Sequence, residues 1–426
     1  MYKLLAILFF TCWLGSVNAE LAFEGAEGFG ANSKGGKGGQ IIKVTRLDDN
    51  PNNPKTGSFR WAVNQKGPRI VQFDVSGNIS LQDRLVIEEP FLTIDGSTAP
   101  DKGICIKNYG LEFSDTHDII VRYIRVRHGD VKVLEENKKE GRSRPEKSVG
   151  LDCINIDTSK DVIVDHCSLS WSCDEVVSVT RSENVTIQWC FITEPLANPK
   201  IHPYGDEHAY GFNASANTLS VHHCLFANYV MRGPQFETND VDANKRDYDI
   251  KMEAVNNLIY NYTRSGSRYT TGVDNPDQLG DVIFQFQYIN NLYVNKTDVK
   301  PEINVEDSTT AKPNLKVFIS GNIGPIRSSQ AMGQYVGVKV GSGSGTPILD
   351  SKAKIRGRLS YEQMFSAAVP ISTFSAESIY PIILENAGCN LKRDSVDERI
   401  IKKIKALKFE DILKSQEDVG GWPDLS

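Results

Sequence analysis

VIVDHCSL (162–169) returns, altered but recognisable, five more times along the chain: VTIQWCFI (185–192), LSVHHCLF (219–226), MEAVNNLI (252–259), FQYINNLY (286–293) and VFISGNIG (317–324). Each copy is a short β-rich run, then a polar pair, then Cys or Asn at the sixth position, then apolar residues. The sixth positions are Cys167, Cys190, Cys224, Asn257, Asn291 and Asn322, at spacings of 23, 34, 33, 34 and 31 residues. The runs IVQFDVSG (70–77), LTIDGS (92–97) and IIVRYIRV (119–126) fit the template loosely. A period of this size built on short strands signals a solenoid. No helical periodicity accompanies the strands, which excludes leucine-rich and helical repeats. The expected fold is all-β, a right-handed parallel β-helix whose rungs are separated by roughly 4.8 Å. Equivalent residues then stack. Cys at the sixth position acts as a small hydrophobe, and Asn there hydrogen-bonds to its copy one rung away.

Working outward, insertions in a solenoid become loops on one face, often the binding face. Three stand out, at 130–150, 194–218 and 231–250. GSGSG (341–345) reads as a linker after the last rung, and Ser395–Leu413 has a helical pattern with Asp394 as its cap. The expected organisation is a signal peptide (1–19), a β-helix (20–345) and a C-terminal extension packed on it (346–426). The leader has Lys3, an apolar run from Leu4 to Val17 too short to span a bilayer, and the small-residue pattern Val17-Asn18-Ala19. It implies a secreted protein, extracellular or periplasmic. No later stretch reads as a membrane helix, and a monomer is expected.

The net charge of −6 argues against a nucleic-acid binder but not against an acidic substrate, since only charge at the cleft matters. Seven Cys follow the leader, an odd number with no C-x-x-C pair, so packing is preferred over disulfides or zinc. The glycine-rich GFGANSKGGKGG (28–39) lacks the Gly-Lys-Ser/Thr of a phosphate loop and reads as a turn-rich cap segment.

The 23-residue period sets CINI (153–156) beneath VVSV (176–179), with Ile154 under Val177 and Ile156 under Val179. Asp152 then stands ahead of one strand, and Asp174 and Glu175 ahead of the next, roughly 5–10 Å apart. Like charges that close repel unless a cation lies between them. A hard, oxygen-seeking ion such as Ca²⁺ fits; the alternative is that one or two of them face water. Asp165 and His166 fall in the polar pair of the repeat, where a structural role is expected.

VIVDHCSLSWSCDE (162–175) resembles the signature of the pectate lyase superfamily, the family-one polysaccharide lyases. The resemblance extends through GAEGFGANSKGGKGG (25–39), GSFRWAV (57–63), DCINIDTSKDVIVDH (152–166), VTIQWCFITEPL (185–196) and YVMRGP (229–234), covering roughly residues 22 to 330. It implies calcium-assisted β-elimination on polygalacturonate (pectate), with an Arg removing the C5 proton and a 4,5-unsaturated product leaving. By position, Asp152 and Asp174 match calcium ligands, with Glu175 as a third. Arg232 matches the catalytic Arg of Arg-x-Pro. Lys200 matches a substrate-binding Lys, and His208 and Arg264 join it as substrate-binding residues. The chain departs from the family at Gly150 and Ser178, where carboxylates are usual, and at Gln235-Phe236-Glu237, where basic residues often follow. Rival readings are a lyase on methylated pectin or another uronan, a hydrolase on the same fold, and a non-catalytic glycan-binding β-helix. No Asp-Asp pair in a suitable strand context supports the hydrolase.

Overall fold

The computed structural model describes residues 20–147, 150–238, 249–270, 282–296, 300–306, 314–340 and 362–425. The expected leader (1–19) and the GSGSG linker (341–345) lie outside them. No helix among the described residues is long and apolar enough to cross a membrane.

The chain coils into three parallel sheets of ten, nine and eight strands, each strand lying beside its counterpart one turn on. This is the parallel β-helix. In the ten-stranded first sheet Val162 pairs with Val185, Val185 with Leu219, Leu219 with Met252, Met252 with Phe286 and Phe286 with Val317. These are the first residues of the six repeat segments, so the repeat alignment is the register of the sheet. The looser early runs join the same ladder through Val71, Ile94, Val121 and Val164.

Alternation along the strands decides what faces inward. In Lys160–Asp165, Val162 and Val164 point into the main core, while Ile163 points outward against Ala26 and Ala31. Both faces of this strand are therefore covered, which is why Ile163 is as fully buried as Val162 and Val164. The cover is the glycine-rich N-terminal stretch, and it is not a cap on the end of the coil, as the sequence reading had it. It runs as a strap along the outside of the first sheet. Its glycines allow the close approach: a Cβ on Gly30 would sit 2.2 Å from the Val162 carbonyl oxygen, and one on Gly36 1.8 Å from that of Arg69. The end of the core is closed by the helix Phe59–Val63, capped by Ser58 and stacking Phe59 on Phe73 at 5.8 Å.

The sixth position forms one buried ladder. The amide of Cys167 donates to Cys190 Sγ and that of Cys190 to Cys224 Sγ, both at 3.4 Å. The ladder continues from Cys224 N to Asn257 Oδ1 (2.9 Å), Asn257 N to Asn291 Oδ1 (2.9 Å) and Asn291 N to Asn322 Oδ1 (3.0 Å). All seven described cysteines are free and buried. The fifth position turns the corner. His166, Trp189, His223, Asn256 and Asn290 all have φ between 50° and 54°, a left-handed conformation that Asn and His tolerate better than most residues. His166 stacks between Tyr123 (5.0 Å) and Trp189 (6.0 Å), and its Nδ1 lies 2.8 Å from Asp165 Oδ1. Its role is structural, at a corner of the coil.

Two expected insertions are shorter than the sequence suggested. Tyr210–Ser215 and Gln235–Glu237 are regular strands of the nine-stranded second sheet, inside what had been taken as the loops 194–218 and 231–250. Their apolar positions (Phe212, Ala214, Phe236) are too few to announce a strand. What remains outside the coil in the first is 194–209; residues 239–248 of the second lie outside the described residues. The 130–150 insertion carries the helix Val131–Lys139.

After the coil, helices Ile379–Asn386 and Ser395–Lys405 cover the eight-stranded third sheet, setting Ile379, Ile383, Ile400 and Ile404 against Leu225, Leu258 and Tyr260. Asp394 caps the second helix and pairs with the buried Arg127, as does Asp397. Arg399 forks onto Glu194 with two 2.7 Å bonds. This helix ends eight residues before the expected Leu413, with Leu407 at φ 49°.

Candidate active site

The second sheet places the chemistry. Ile154 pairs with Val177 and Ile156 with Val179, the stacking read from the 23-residue period. Asp152 lies just ahead of Ile154–Asp157, Glu175 begins Glu175–Thr180, and Glu175 pairs in turn with Tyr210. Asp152, Asp174 and Glu175 thus converge at the leading edge of adjacent rungs, each offering a carboxylate oxygen within 4.8 Å of the others. All three are nearly buried (9%, 8% and 5% exposed). From them a groove of about 390 Å³ runs over the outer face of the sheet, lined by Arg84, Glu112, Asn155, Asp157, Ser178 and Thr180 among others.

Electrostatics separates the three acids. Burial, then the charges of Asp174 and Glu175, push the Asp152 carboxyl well above its ordinary range. Burial and Asp174 likewise raise Glu175, against the pull of Arg232. Burial would raise Asp174 too, but the imidazoles of His202 and His208, 3.4 and 3.0 Å from its Oδ1, outweigh it and hold Asp174 low. His208 shows the reciprocal effect: burial would lower it, yet Asp174 and Glu175 push it up to about 9. Its Nε2 is 3.0 Å from Asp174 Oδ1 and 3.8 Å from Glu175 Oε1.

Arg232 enters from the next turn. Its guanidinium pairs with Glu175 and lies 4.4 Å over the ring of Tyr210. Its backbone sits at φ 74° and is pinned by the Phe212 amide, which donates to its carbonyl at 2.6 Å. A non-glycine residue held there costs on the order of 1 kcal/mol or more, a strain that clusters at functional sites. Burial would lower the Arg232 pKa, but Glu175 and Glu237 raise it. Arg264 is exposed, with its Nη1 3.8 Å from Met231 Sδ; Arg268 reaches the same sulfur at 3.5 Å and Gln235 Oε1 at 3.0 Å.

The structure therefore brings Asp152, Asp174, Glu175, His208 and Arg232 together. Lys200 stands apart in solvent: its amide donates to Asn198 Oδ1 and its carbonyl accepts from Asn137 Nδ2, both at 3.0 Å. His202 and Tyr210 belong to the cluster but were not singled out as site residues. The signal for His202 was HPYGDEH (202–208), two His bracketing Asp206 six residues apart. The two missing carboxylates have structural explanations. Gly150 holds φ 80°, and a Cβ there would meet the Arg84 side chain at 3.0 Å. Ser178 instead hydrogen-bonds Asp152, lowering its pKa against the larger effect of burial.

The donor set of the trio is all oxygen, and Asp174 Oδ1 is buried without a hydrogen-bond partner. A buried acceptor left open beside two other acids fits a hard cation such as Ca²⁺.

A scan of protein-family models matches none. The probable pectate lyase C of Emericella nidulans is 32% identical over 413 residues, covering 96% of this chain and 82% of that protein. That of Aspergillus flavus is 30% identical over 423 residues, covering 99% and 84%. Among solved structures, the major allergen from cedar pollen shares the fold with a TM-score of 0.54 at 18% identity, over 85% of this chain and 92% of that one. A pectate lyase described for its substrate specificity and anti β-elimination mechanism gives 0.54 at 12% identity, over 88% and 98%. The full-length relatives and the shared coil agree: the chain belongs to the pectate lyase family.

Proposed function

We propose that this protein is a secreted lyase that cleaves polygalacturonate by calcium-assisted β-elimination, leaving 4,5-unsaturated oligogalacturonides. The observation that carries the reading is the buried trio Asp152, Asp174 and Glu175, with the Arg232 guanidinium seated on Glu175 at the head of an open groove. The relatives' names supply the substrate class, and the leader supports secretion.

Asp152, Asp174 and Glu175 would hold calcium, which when bound draws charge from the uronate carboxylate and so acidifies the adjacent C5–H. Arg232 is the group placed to accept that proton, while the O4 leaving group departs and the C4–C5 double bond forms. A free guanidinium has a pKa above about 12 and is a poor base. In the structure Glu175 makes this worse by holding the proton on Arg232. Arg232 becomes a base only when the Glu175 charge is committed elsewhere and the cations near it, Arg264 and His208, oppose its protonation. Tyr210, beneath the guanidinium, fixes its plane.

The test is the product. Purified protein with polygalacturonate and calcium is expected to release ultraviolet-absorbing unsaturated ends in step with reducing ends. Reducing ends without that absorbance would identify a hydrolase, and neither signal would leave a binding protein.

A further inference from the structure

Arg84 stands just ahead of Leu85–Ile87 in the second sheet, where Val86 pairs with Glu112 of Leu111–Ser114. Its backbone is fixed at both ends: the amide donates to Asp83 Oδ1 at 2.8 Å and the carbonyl accepts from Arg60 Nη1 at 2.7 Å. The side chain is forked onto Glu112, with Nε donating to Oε1 at 2.8 Å and Nη2 to Oε2. That fork uses one edge of the guanidinium. Among the described residues Nη1 makes no hydrogen bond.

The stem of Arg84 lies over Gly150. A Cβ at 150 would sit 3.0 Å from Arg84 Cγ and Cδ and 3.1 Å from Nε, closer than packed carbon atoms normally come. The missing side chain at 150 is what lets the guanidinium reach across. There it lines two depressions at once: the groove of about 390 Å³ that begins at the trio, and a second of about 260 Å³ shared with Tyr109, Glu136, Arg142 and Lys147. Among the described residues lining the groove, Arg84 is the one cationic side chain, against Glu112, Asp152, Asp157, Asp174 and Glu175. Two of those acids are already answered, Glu112 by Arg84 and Asp157 by Arg181 at 2.6 Å. The Arg84 side chain is 40% exposed and that of Glu112 13%, so the pair turns its guanidinium, not its carboxylate, to an incoming ligand.

A polymer of uronic acids carries a carboxylate on every ring. A carboxylate that reaches the Nη1 edge gains a charge-assisted hydrogen bond, whereas its methyl ester keeps an acceptor oxygen but not the charge. We propose that Arg84 is a substrate-binding, specificity-determining residue: it holds a free uronate carboxylate in the groove and so selects unesterified over methyl-esterified uronan. The polymer it takes rests on the lyase reading, but binding tests the contact without turnover.

The probes are a short oligogalacturonate and its full methyl ester, titrated by calorimetry into full-length protein with calcium and again in chelator. Arg84→Met keeps the stem over Gly150. It is expected to weaken the free acid at least about tenfold, the low end for a hydrogen bond to a charged group, and the ester by less than about threefold. On polygalacturonate the same variant should raise KM and leave kcat nearly unchanged, as loss of uniform binding does. If Arg84→Met loses its fold by circular dichroism, the wild type in chelator supplies the test. The free acid should still bind at least about tenfold more tightly than the ester, because the guanidinium does not leave with the metal. A folded Arg84→Met with a smaller loss on the free acid, equal losses on acid and ester, or a wild type that binds the two alike in chelator would each overturn the proposal. A wild type that binds the free acid through Arg84 yet releases no unsaturated product would support the contact and overturn the lyase reading instead.

Discussion

Two sets of buried polar groups lie on successive rungs of the same coil, and they are finished differently. In the interior ladder each member has a partner. Asn257 Nδ2 donates to Val221 O and Asn291 Oδ1, and Asn291 Nδ2 donates to Ala254 O and Asn322 Oδ1. At the leading edge of the second sheet Asp174 Oδ1, His202 Nε2 and Arg232 Nε have none. Buried polar atoms are normally satisfied. A satisfied row contributes stability, and an unsatisfied one with displaced pKa values marks where a ligand belongs. Substitutions in the ladder should therefore change stability, and those at the edge should change turnover.

The largest effect is expected from breaking the ladder. Cys190→Asp puts an unpaired charge into the dry interior and should lower unfolding free energy by about 3–5 kcal/mol. Denaturant melts measure it, and a loss below about 1 kcal/mol would mean that the ladder tolerates open valences as the edge does.

Arg232→Lys keeps the charge but loses the planar fork. Turnover on polygalacturonate should fall at least about a hundredfold, with substrate affinity and melting temperature nearly unchanged. Near-normal turnover would remove Arg232 from the chemistry.

Glu253 sharpens the comparison, because it is buried and bonded yet titratable. Burial pushes its carboxyl up to about 7, despite hydrogen bonds from Ser220 (2.8 Å) and Gln287 (3.4 Å). The folded state holds the proton more tightly than the unfolded state, so its contribution is present at low pH and fades as pH rises from about 4.5 through 7. Above that it costs on the order of 3 kcal/mol. Glu253→Gln should lose less melting temperature than the wild type between pH 5 and pH 8; equal losses would remove Glu253 from the pH response.

The smallest effect concerns Lys200. Its side chain is exposed, whereas His208 touches the carboxylates. Lys200→Ala should shift KM by less than about threefold, the scale of an exposed charge. A larger shift would bring the 194–209 loop into substrate binding.

The coil was legible because one position recurs with only two residue types: Cys or Asn at the sixth place shows the period, and the period gives the register of Ile154 on Val177. Asp152, Asp174 and Glu175 followed, since strand pairing fixes where flanking residues land. Other features left little trace. The left-handed corner at His166 and Trp189 is a backbone property that side-chain pattern does not carry. In Tyr210–Ser215 the residues Gly211, Asn213 and Ser215 between the inward Phe212 and Ala214 read as loop, and Gln235–Glu237 has only three residues. The meeting of His202 and His208 with Asp174 depends on how an irregular loop folds back, which no period encodes.

The most direct measurement follows unsaturated product from polygalacturonate by ultraviolet absorbance, for wild type and Asp174→Ala, before and after exhaustive chelation and return of calcium. The account predicts that wild type falls silent on chelation and recovers with calcium, while Asp174→Ala stays silent throughout. Full activity after chelation, or an undiminished Asp174→Ala, would contradict it.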